Sequence, residues 1–290
     1  MKYRLPELEN SRMLVVGLGL MGGSLAMAVN SRHLCKIVRG VDRDPVTIKQ
    51  AIEIGAIQSG STELKAMLDE TDIIVLATPV KSIVKTLKEI GNICQHPCVV
   101  LDLGSTKQEI VSAMTCLPNH IQAVGCHPMC GGFEPGIQHA RADLFVNKPF
   151  ITCPVPGKET SVLQLAHQLA IGLGAIAIEM TTEIHDERVA VVSHLPYFLS
   201  VLLMQVAQIR ASEDDELMKI AAGGFARVSS LSQGSEAMWG DILLTNRANL
   251  QSLLNLIKEE IDQWLDILER EDENKIHEIL SQVRANWQNK

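Results

Sequence analysis

Short apolar runs rich in valine and isoleucine alternate with helical patterns through the first 180 residues of this 290-residue chain. Each run is nearly continuous in apolar residues, which is typical of strands covered on both faces. Strands spaced by helices of this length form βαβ units with a parallel sheet. The predicted strands are 13–17, 36–42, 72–79, 98–104, 120–127, 149–154 and 174–180, and the predicted helices are 22–31, 46–55, 81–91, 106–116 and 158–171. The sequence therefore predicts an α/β fold with a doubly wound, mostly parallel sheet.

The strand pattern stops after the last of these runs, and helical spacing follows. Residues 184–210 are apolar on almost all faces, which indicates a helix buried on most sides. Leucine and isoleucine then recur at helical spacing over 250–268 and again in the last segment of the chain. We therefore expect an α/β domain over residues 1–180 and an all-α C-terminal domain over 181–290. Because a small domain cannot cover a helix that is apolar on all faces, the pattern also predicts a homodimer formed through the helical domain.

Charge and cysteine content restrict the partners and the compartment. The formal net charge of −8 argues against nucleic acid, since neutralising phosphates requires clustered lysine and arginine. The seven cysteines are scattered and odd in number, which fits reduced thiols better than a disulfide framework. Residues 1–12 lack the apolar core of a signal sequence, and the longest apolar stretch, 195–209, is short for a membrane span. We therefore expect a cytoplasmic protein with no nucleic-acid or membrane partner.

The stretch GLGLMG, residues 17–22, has the spacing G-x-G-x-x-G. It follows a predicted strand and opens a predicted helix, which is the context of a dinucleotide-binding turn in a Rossmann-type sheet. Gly17 permits the tight turn, Gly19 lets the backbone approach a pyrophosphate, and Gly22 lets the helix pack closely on the strand. The helix N-terminus offers free N–H groups to the anion. The alternative is a tight turn without a ligand.

Asp42 lies 20 residues past Gly22, at the end of the second predicted strand. An acidic residue there accepts hydrogen bonds from the adenosine ribose, which favours NAD. Arg43 leaves NADP open, because an arginine at this place can hold a 2′-phosphate, and Asp42 could instead neighbour a helix N-cap. The residues predicted to contact the cofactor are Gly17, Leu18, Gly19, Leu20, Met21, Gly22, Asp42, Arg43, Thr78 and Pro79.

Polar residues at the ends of three predicted strands are candidates for the chemistry. Ligands of a doubly wound sheet bind beyond the carboxyl ends of the strands, where Thr78, Ser105 and His127 fall. A neutral His127 could take a proton from a substrate hydroxyl as hydride leaves, and Ser105 could orient the imidazole or bind the same hydroxyl. Alternatively, His127 caps its strand and Ser105 caps a helix starting at residue 106. The spacing of Cys126 and Cys130 is poor for zinc, and we expect no metal site.

Six segments carry a family resemblance: GLGLMGGSLA, DLGSTK, GCHPMCGG, FVNKPFITCP, HDERVAVVSHLPY and GGFARVSSLSQGSEAMWGDI. In order and spacing, over about residues 12–270, they resemble the prephenate/arogenate dehydrogenases of tyrosine biosynthesis. The resemblance implies NAD-dependent oxidative decarboxylation of prephenate to 4-hydroxyphenylpyruvate, or of arogenate to tyrosine. It places the family's catalytic histidine on His127 and its assisting serine on Ser105.

The same resemblance implies that the helical domain completes the substrate pocket. Ser193 and His194 stand in the S-H-L-P motif, and Tyr197 replaces a second histidine that the family often has there. A tyrosine donates a hydrogen bond but carries no charge at neutral pH. The alternative for His194 is a satisfied core histidine, and His185 and Asp186 could serve only to begin their helix favourably.

A second departure concerns the substrate carboxylates. Many members of the family place a carboxylate-binding arginine nine residues before the tryptophan of M-W, and that position is Ser230 here, counted from Trp239. Arg227 lies about one helical turn earlier and could reach the same space. We expect Ser193, Tyr197 and Arg227 to contact the substrate, with a solvated surface arginine as the alternative for Arg227 and a core or pocket role open for Trp239.

Two rival functions remain. A β-hydroxyacid dehydrogenase shares the two-domain build, but such enzymes use a lysine of the helical domain, and residues 184–210 contain none. A non-catalytic NAD-binding dimer is the other rival, because Tyr197 and Ser230 depart from the family pattern. The sequence leaves open the choice between prephenate and arogenate, strict NAD or NADP use, and feedback inhibition by tyrosine.

Overall fold

One eight-stranded sheet organises the described part of the chain, in the order β3-β2-β1-β4-β5-β6-β7-β8. The computed structural model describes residues 5–132, 134–214 and 216–288. The strands are β1 Arg12–Val16, β2 Ile37–Val41, β3 Ser59–Ser61, β4 Ile73–Leu76, β5 Cys98–Asp102, β6 Ile121–Pro128, β7 Pro149–Pro154 and β8 Ile176–Glu179. Neighbouring strands pair in parallel, except that β7 pairs antiparallel with β6. The predicted doubly wound, mostly parallel sheet is confirmed.

Six helices cover the two faces of the sheet: α1 Leu20–Ser31, α2 Pro45–Glu53, α3 Leu64–Leu68, α4 Val80–Ile93, α5 Gln108–Thr115 and α6 Ser161–Gly172. One apolar core contains buried residues of α1, α2 and α6, and a second contains those of α3, α4 and α5. The sequence analysis missed β3 and α3. The strand reads Ser-Gly-Ser, so it lacks the apolar residues by which a strand is recognised.

β1 pairs with β2 on one side and with β4 on the other, and the chain crosses from β3 at the far edge back to β4, so the strand order reverses beside β1. At such a switch point the loops beyond the carboxyl ends of the strands diverge and leave a crevice. The glycine turn follows β1, Thr78 follows β4, and Ser105 follows β5. The topology thus brings the predicted cofactor and catalytic segments to one edge.

Four further helices follow the sheet: α7 Thr182–Val189, α8 Leu195–Ala211, α9 Gly223–Ser229 and α10 Glu236–Thr245. A π-helical turn over Ala190–His194 joins α7 to α8 without a break. Pro196 lies in the first turn of α8 and has no N–H to donate backward, so the wider turn accommodates it. The S-H-L-P motif therefore occupies an irregular turn inside a long helix, a place where functional residues concentrate.

The prediction that this long helix is buried on most sides is wrong for the single chain. Val192 is 65% exposed, Val206 58% and Ile209 64%. Over Thr182–Ala211 the helix is long and apolar enough to cross a membrane, judged by length and composition alone, and 28% of its most apolar 18-residue segment is buried. An apolar face left open by the chain's own fold has to be covered by something outside it.

The chain divides into two compact units, residues 1–246 and 247–290. The second unit consists of α11 Arg247–Glu269 and α12 Glu273–Gln288. The helical pattern read between 250 and 268 falls within α11, and the last pattern falls within α12, except that the side chain of Trp287 lies outside the described residues.

Candidate active site

The glycine turn has the conformation that its sequence requires. Gly17 has φ +92°, a region that favours glycine, and a side chain at Gly22 would place its Cβ 1.9 Å from the Gly17 carbonyl oxygen. A Cβ at Gly19, by contrast, would have no atom of the other described residues within 4 Å, apart from its two chain neighbours. The backbone at Gly19 therefore borders open space at the N-terminus of α1, which is a cradle for a phosphate group.

Asp42 supports this turn. Its Oδ2 accepts a hydrogen bond from the Leu18 N–H at 2.8 Å, and its Oδ1 accepts one from the Asp44 N–H at 3.0 Å. The N-cap of α2 is Asp44, so Asp42 does more than neighbour a cap. Each carboxylate oxygen has two lone pairs and can still accept a ribose hydroxyl. The exposed Arg43 lies beside it at the same cavity.

Three adjoining cavities run along the carboxyl edge of the sheet. The first, of about 1130 Å³, is lined by the glycine turn and the end of β2, and the second, of about 220 Å³, shares Gly19, Thr78 and Pro79 with it. The third, of about 540 Å³, shares Leu20, Met21 and Ser105 with the second. The Thr78 hydroxyl is buried in this crevice and has no hydrogen-bond partner among the described residues, as expected of a group that awaits a ligand.

Of the predicted cofactor residues, the structure places Gly17, Gly19, Leu20, Met21, Asp42, Arg43, Thr78 and Pro79 along the first two cavities. Leu18 and Gly22 support the turn from behind. Leu18 is fully buried in the core, and Gly22 is packed against the carbonyl of Gly17.

His127 lines the third cavity and is joined to a chain of buried polar groups. Its Nδ1 lies 2.8 Å from His185 Nε2, and His185 Nδ1 lies 2.7 Å from Asp186 Oδ1. A carboxylate only accepts, so His185 carries its proton on Nδ1, and its Nε2 accepts from the Nδ1–H of His127. This network assigns the lone pair of neutral His127 to Nε2, and a lone pair at that atom is what a general base requires.

Asp186 is fixed by the start of α5. Its carboxylate accepts hydrogen bonds from the backbone N–H groups of Lys107, at 2.7 Å, and Gln108, at 3.0 Å. The first N–H groups of a helix lack intrahelical partners, so Asp186 caps α5 although it belongs to α7. Because Asp186 bonds the helix start with both oxygens, it holds the two imidazoles in one arrangement.

A buried ion pair lies under the same site. Lys107 and Asp102 are fully buried, and the ammonium of Lys107 donates to Asp102 Oδ2. Asp102 also accepts from the N–H groups of Gly104, at 2.7 Å, and Cys126, at 3.0 Å. Since Cys126 precedes His127, this pair fixes the backbone that carries the imidazole. Removing one partner of such a pair leaves an uncompensated buried charge.

Burial governs the titration of these histidines. Desolvation lowers the pKa of His127 well below its ordinary value of 6.5, and a proton on His127 would also be repelled by Lys107 and by any proton on His185 or His194. Desolvation also lowers the pKa of His185, although its hydrogen bond to Asp186 opposes the change. Desolvation also lowers the pKa of His194, to about 4. All three imidazoles, those of His127, His185 and His194, are therefore neutral at pH 7.

The turn around the S-H-L-P motif supplies the opposite wall of the third cavity. Ser193 and Tyr197 line it together with Trp239, whose ring stacks on that of Tyr197 with centroids 3.6 Å apart. Trp239 thus belongs to the pocket. His194 is buried and accepts a hydrogen bond from Asn246 at Nδ1, at 3.1 Å, but within the described part of the chain its Nε2 has no partner, so it is not a fully satisfied core histidine.

Arg227 is not brought to this cavity. It lies on the seven-residue α9 with an exposed side chain, and the described lining of the third cavity contains no arginine or lysine. Ser230 is also absent from the described lining of this cavity, and its hydroxyl donates to the Arg227 carbonyl oxygen at 2.9 Å. The two residues therefore lie one helical turn apart, but among the described residues neither side chain borders the third cavity.

Ser105 lines the second and third cavities but does not cap a helix, because α5 begins at Gln108 with Lys107 at its N-cap position. The sequence analysis missed Asp102 and Lys107 and gave His185 and Asp186 no part in the site. A signal was present: a carboxylate and a lysine within an apolar strand–turn segment, and an H-D pair in an apolar helix, require buried partners.

Comparisons with known proteins agree with this architecture. The family model described as "Prephenate dehydrogenase, nucleotide-binding domain" matches residues 25–179, and the one described as "Prephenate dehydrogenase, dimerization domain" matches residues 181–282. The prephenate dehydrogenase of Bacillus subtilis is 31% identical over 262 residues, which cover 90% of this chain and 71% of that protein.

Two solved structures are similar along nearly their whole length. The prephenate dehydrogenase of A. aeolicus, in complex with hydroxyphenyl propionate and NAD+, has a TM-score of 0.90 and 26% identity, covering 96% of this chain and 98% of its own. The Synechocystis arogenate dehydrogenase has a TM-score of 0.80 and 27% identity, covering 96% and 99%. With both family models matched in order and the carboxyl-edge crevice in place, the chain belongs to the prephenate dehydrogenase family.

Proposed function

We propose that the chain is a NAD-dependent dehydrogenase that oxidatively decarboxylates prephenate to 4-hydroxyphenylpyruvate, or arogenate to tyrosine. The observation that carries the proposal is the hydrogen-bonded chain from His127 through His185 to Asp186, which assigns the lone pair of His127 to Nε2, beside a cavity that adjoins the glycine turn. Family membership supports the reaction class, since the relatives include both prephenate and arogenate dehydrogenases.

The glycine turn and its neighbours fit a dinucleotide. Gly19 would let a pyrophosphate approach the start of α1, Asp42 would accept the adenosine ribose hydroxyls, and the unpartnered Thr78 hydroxyl would bond the bound cofactor. The carboxylate of Asp42 favours NAD, and Arg43 leaves NADP open. When bound, NAD accepts the hydride from the carbon that bears the substrate hydroxyl.

His127 supplies the base. Its Nε2 takes the hydroxyl proton as the hydride leaves, the bond to the ring carboxylate breaks, and its electron pair completes the aromatic ring as CO₂ departs. The proton then returns from His127 to the phenolate oxygen, so the enzyme ends unchanged. His185 and Asp186 position the imidazole and stabilise the positive charge that it carries in between.

The substrate would bind in the third cavity. Ser105 would donate or accept a hydrogen bond at the substrate hydroxyl, and Ser193 and Tyr197 would bond the substrate from the helical wall. Their hydroxyls can meet either the keto group of prephenate or the ammonium of arogenate, so both substrates remain within the proposal. Arg227 has no part in this pocket, because its side chain is exposed and lies outside the described lining of the third cavity.

Residues 181–290 would form the homodimer interface of the proposed two-domain enzyme, with residues 1–180 binding the dinucleotide. The exposed apolar face that includes Val192, Val206 and Ile209 supports this assignment, as does the match to a dimerization domain. A second copy covers this face without any need for a membrane. The free cysteines support a cytoplasmic location, and the net negative charge argues against nucleic acid as a partner.

The test is a direct assay of NADH formation with prephenate and with arogenate, each with NAD and NADP. We expect turnover with at least one substrate, and we expect His127→Asn to lower kcat by about 10²- to 10⁴-fold, the usual contribution of a general base. NAD affinity of the variant, measured by calorimetry, should be unchanged. NAD binding without turnover of either substrate would favour the non-catalytic rival, and full activity of His127→Asn would exclude this base.

A further inference from the structure

Two thiols and one imidazole converge at the edge of the sheet opposite to the crevice. Cys94 and Cys98 are buried, and their sulfur atoms lie 3.7 Å apart. His96, half-buried between them in sequence, has its Nδ1 3.7 Å from the sulfur of Cys94, and the three ligand atoms all lie within 4.8 Å of one another. We propose that Cys94, His96 and Cys98 form a binding site for a thiophilic d¹⁰ cation such as Zn²⁺.

The distances match tetrahedral coordination. With Zn–S bonds of about 2.3 Å and a Zn–N bond of about 2.0 Å, a tetrahedral ion separates two sulfurs by about 3.8 Å and a sulfur from a nitrogen by about 3.5 Å. The observed separations from Cys94 are 3.7 Å to Cys98 and 3.7 Å to His96. Two of the three donor separations thus lie close to coordination distance before any ion is bound, and the third, between Cys98 and His96, is within 4.8 Å. Two thiolates with an imidazole are a set that zinc prefers.

The imidazole of His96 is oriented from behind as a metal ligand requires. Its Nε2 lies 3.0 Å from the Thr71 carbonyl oxygen, which can only accept, so Nε2 carries the proton. The lone pair is therefore on Nδ1, the atom nearer to Cys94. A second-shell hydrogen bond of this kind fixes the tautomer and the ring plane of metal-bound histidines.

The local backbone is rigid and electrostatically suited to a cation. Cys94 is the C-cap residue of the fourteen-residue α4, whose dipole places negative potential at that end. His120 Nε2 lies 3.0 Å from the Cys94 carbonyl oxygen and holds it. Pro97 fixes its own φ and restricts His96 to extended conformations, which holds the short connection to β5.

Binding of Zn²⁺ releases the two thiol protons to solvent and involves no oxidation or reduction. The half-exposed ring of His96 marks the solvent side, where a water molecule would complete the coordination. The ion would clamp the end of α4 to the start of β5. Cys98 opens β5 and Asp102 closes it, so the site is about 13 Å along the strand from the catalytic edge and does not depend on the proposed function.

The test uses the full chain, reduced and stripped of metal with a chelator, and titrated with Zn²⁺ against a chromophoric zinc indicator. We expect one ion per chain, about tenfold or more weaker binding in His96→Gln, and a larger loss in Cys94→Ser and Cys98→Ser. Cys116→Ser, which removes an exposed thiol outside the cluster, is the matched control and should bind like the parent. X-ray absorption of the zinc-loaded chain should show two sulfur ligands at about 2.3 Å.

A thermal melt provides a readout that survives poor folding of the cysteine variants. Zn²⁺ should raise the Tm of the parent and of Cys116→Ser, and raise it much less in His96→Gln, because a ligand stabilises only the state that binds it. The proposal fails if the chain does not bind one Zn²⁺ ion, if His96→Gln binds as tightly as the control, or if mass spectrometry of the chain before any reductant is added shows Cys94 and Cys98 joined as a disulfide.

Discussion

The two ends of the carboxyl-edge crevice are built by different means. At the dinucleotide end, the shape comes from backbone: the positive φ of Gly17 and the close approach of Gly22 to a carbonyl oxygen. At the substrate end, the shape comes from a chain of buried polar side chains. Asp186 of the helical region bonds the start of α5 and holds His185 against His127. The first end depends on a local motif, whereas the second needs the sheet and the helices to be assembled.

Asp186→Asn should break the substrate end most severely. An amide in place of the carboxylate can donate a hydrogen bond to His185 Nδ1. The proton of each imidazole would then move to its other ring nitrogen, which leaves His127 Nε2 protonated. We expect kcat to fall by about 10²-fold or more, with NAD affinity unchanged. Steady-state kinetics with calorimetric NAD binding checks this, and a kcat near that of the parent would show that the tautomers do not depend on Asp186.

The buried histidines should make the substrate end sensitive to acid. His194 has an ordinary pKa of 6.5 and a pKa of about 4 in the folded chain, so between these values the unfolded chain binds a proton that the folded chain does not. The contribution of neutral His194 to the free energy of unfolding is complete above pH 6.5. It falls as the pH drops towards 4, by about 3 kcal/mol over the whole interval.

Denaturant unfolding of the parent and of His194→Gln at pH 7 and pH 4.5 tests this. The other histidines titrate in both proteins, so the loss of unfolding free energy on acidification should be smaller in the variant. Equal losses in the two proteins would mean that His194 titrates normally.

The dinucleotide end can be probed with two alanine substitutions that separate shape from ligand binding. Gly22→Ala puts a Cβ 1.9 Å from the Gly17 carbonyl, so we expect a loss of about 1–3 kcal/mol in stability together with weaker NAD binding. Gly19→Ala meets no protein atom within 4 Å, so it should weaken NAD binding and leave Tm unchanged. Thermal melts and calorimetry distinguish them, and unimpaired NAD binding by Gly19→Ala would place the cofactor elsewhere.

The smallest effect is expected at Arg227. Because its side chain is exposed and lies outside the third cavity, Arg227→Gln should change KM and kcat by about twofold or less. A KM raised tenfold or more in the steady-state assay would restore Arg227 as a carboxylate ligand and would require α9 to move when substrate binds.

The same contrast explains what the sequence could predict. The glycine turn, Asp42 and the strand ends at Thr78, Ser105 and His127 are local in the chain, and periodicity with strand–helix context was enough to place them at one edge. The apolar helix was predicted to form a dimer interface, but the extent of the face that the single chain leaves exposed over 182–211 was not, because an apolar pattern shows that a face is covered and not which part is covered by the chain itself.

The polar network of the substrate end was out of reach for another reason. His127 and His185 are 58 residues apart in sequence, and Lys107 and Asp186 are 79 apart, so no local pattern pairs them. Helical spacing placed Arg227 one turn from Ser230, but neither residue lines the described third cavity, because spacing along a helix does not show which wall of the pocket the helix forms.

The antiparallel pairing of β7 with β6 has a further consequence for how such enzymes diversify. Pro128 pairs with Phe150, and the Met129 N–H bonds the Pro149 carbonyl at 2.8 Å, so the loop from residue 129 to 148 leaves the sheet and returns to it at the same edge. Both of its anchors are hydrogen-bonded in register, and its first residues border the substrate cavity. Insertions or deletions in that loop can therefore change the shape of the cavity entrance for a bulkier or differently charged molecule, while β6 and β7 keep their register.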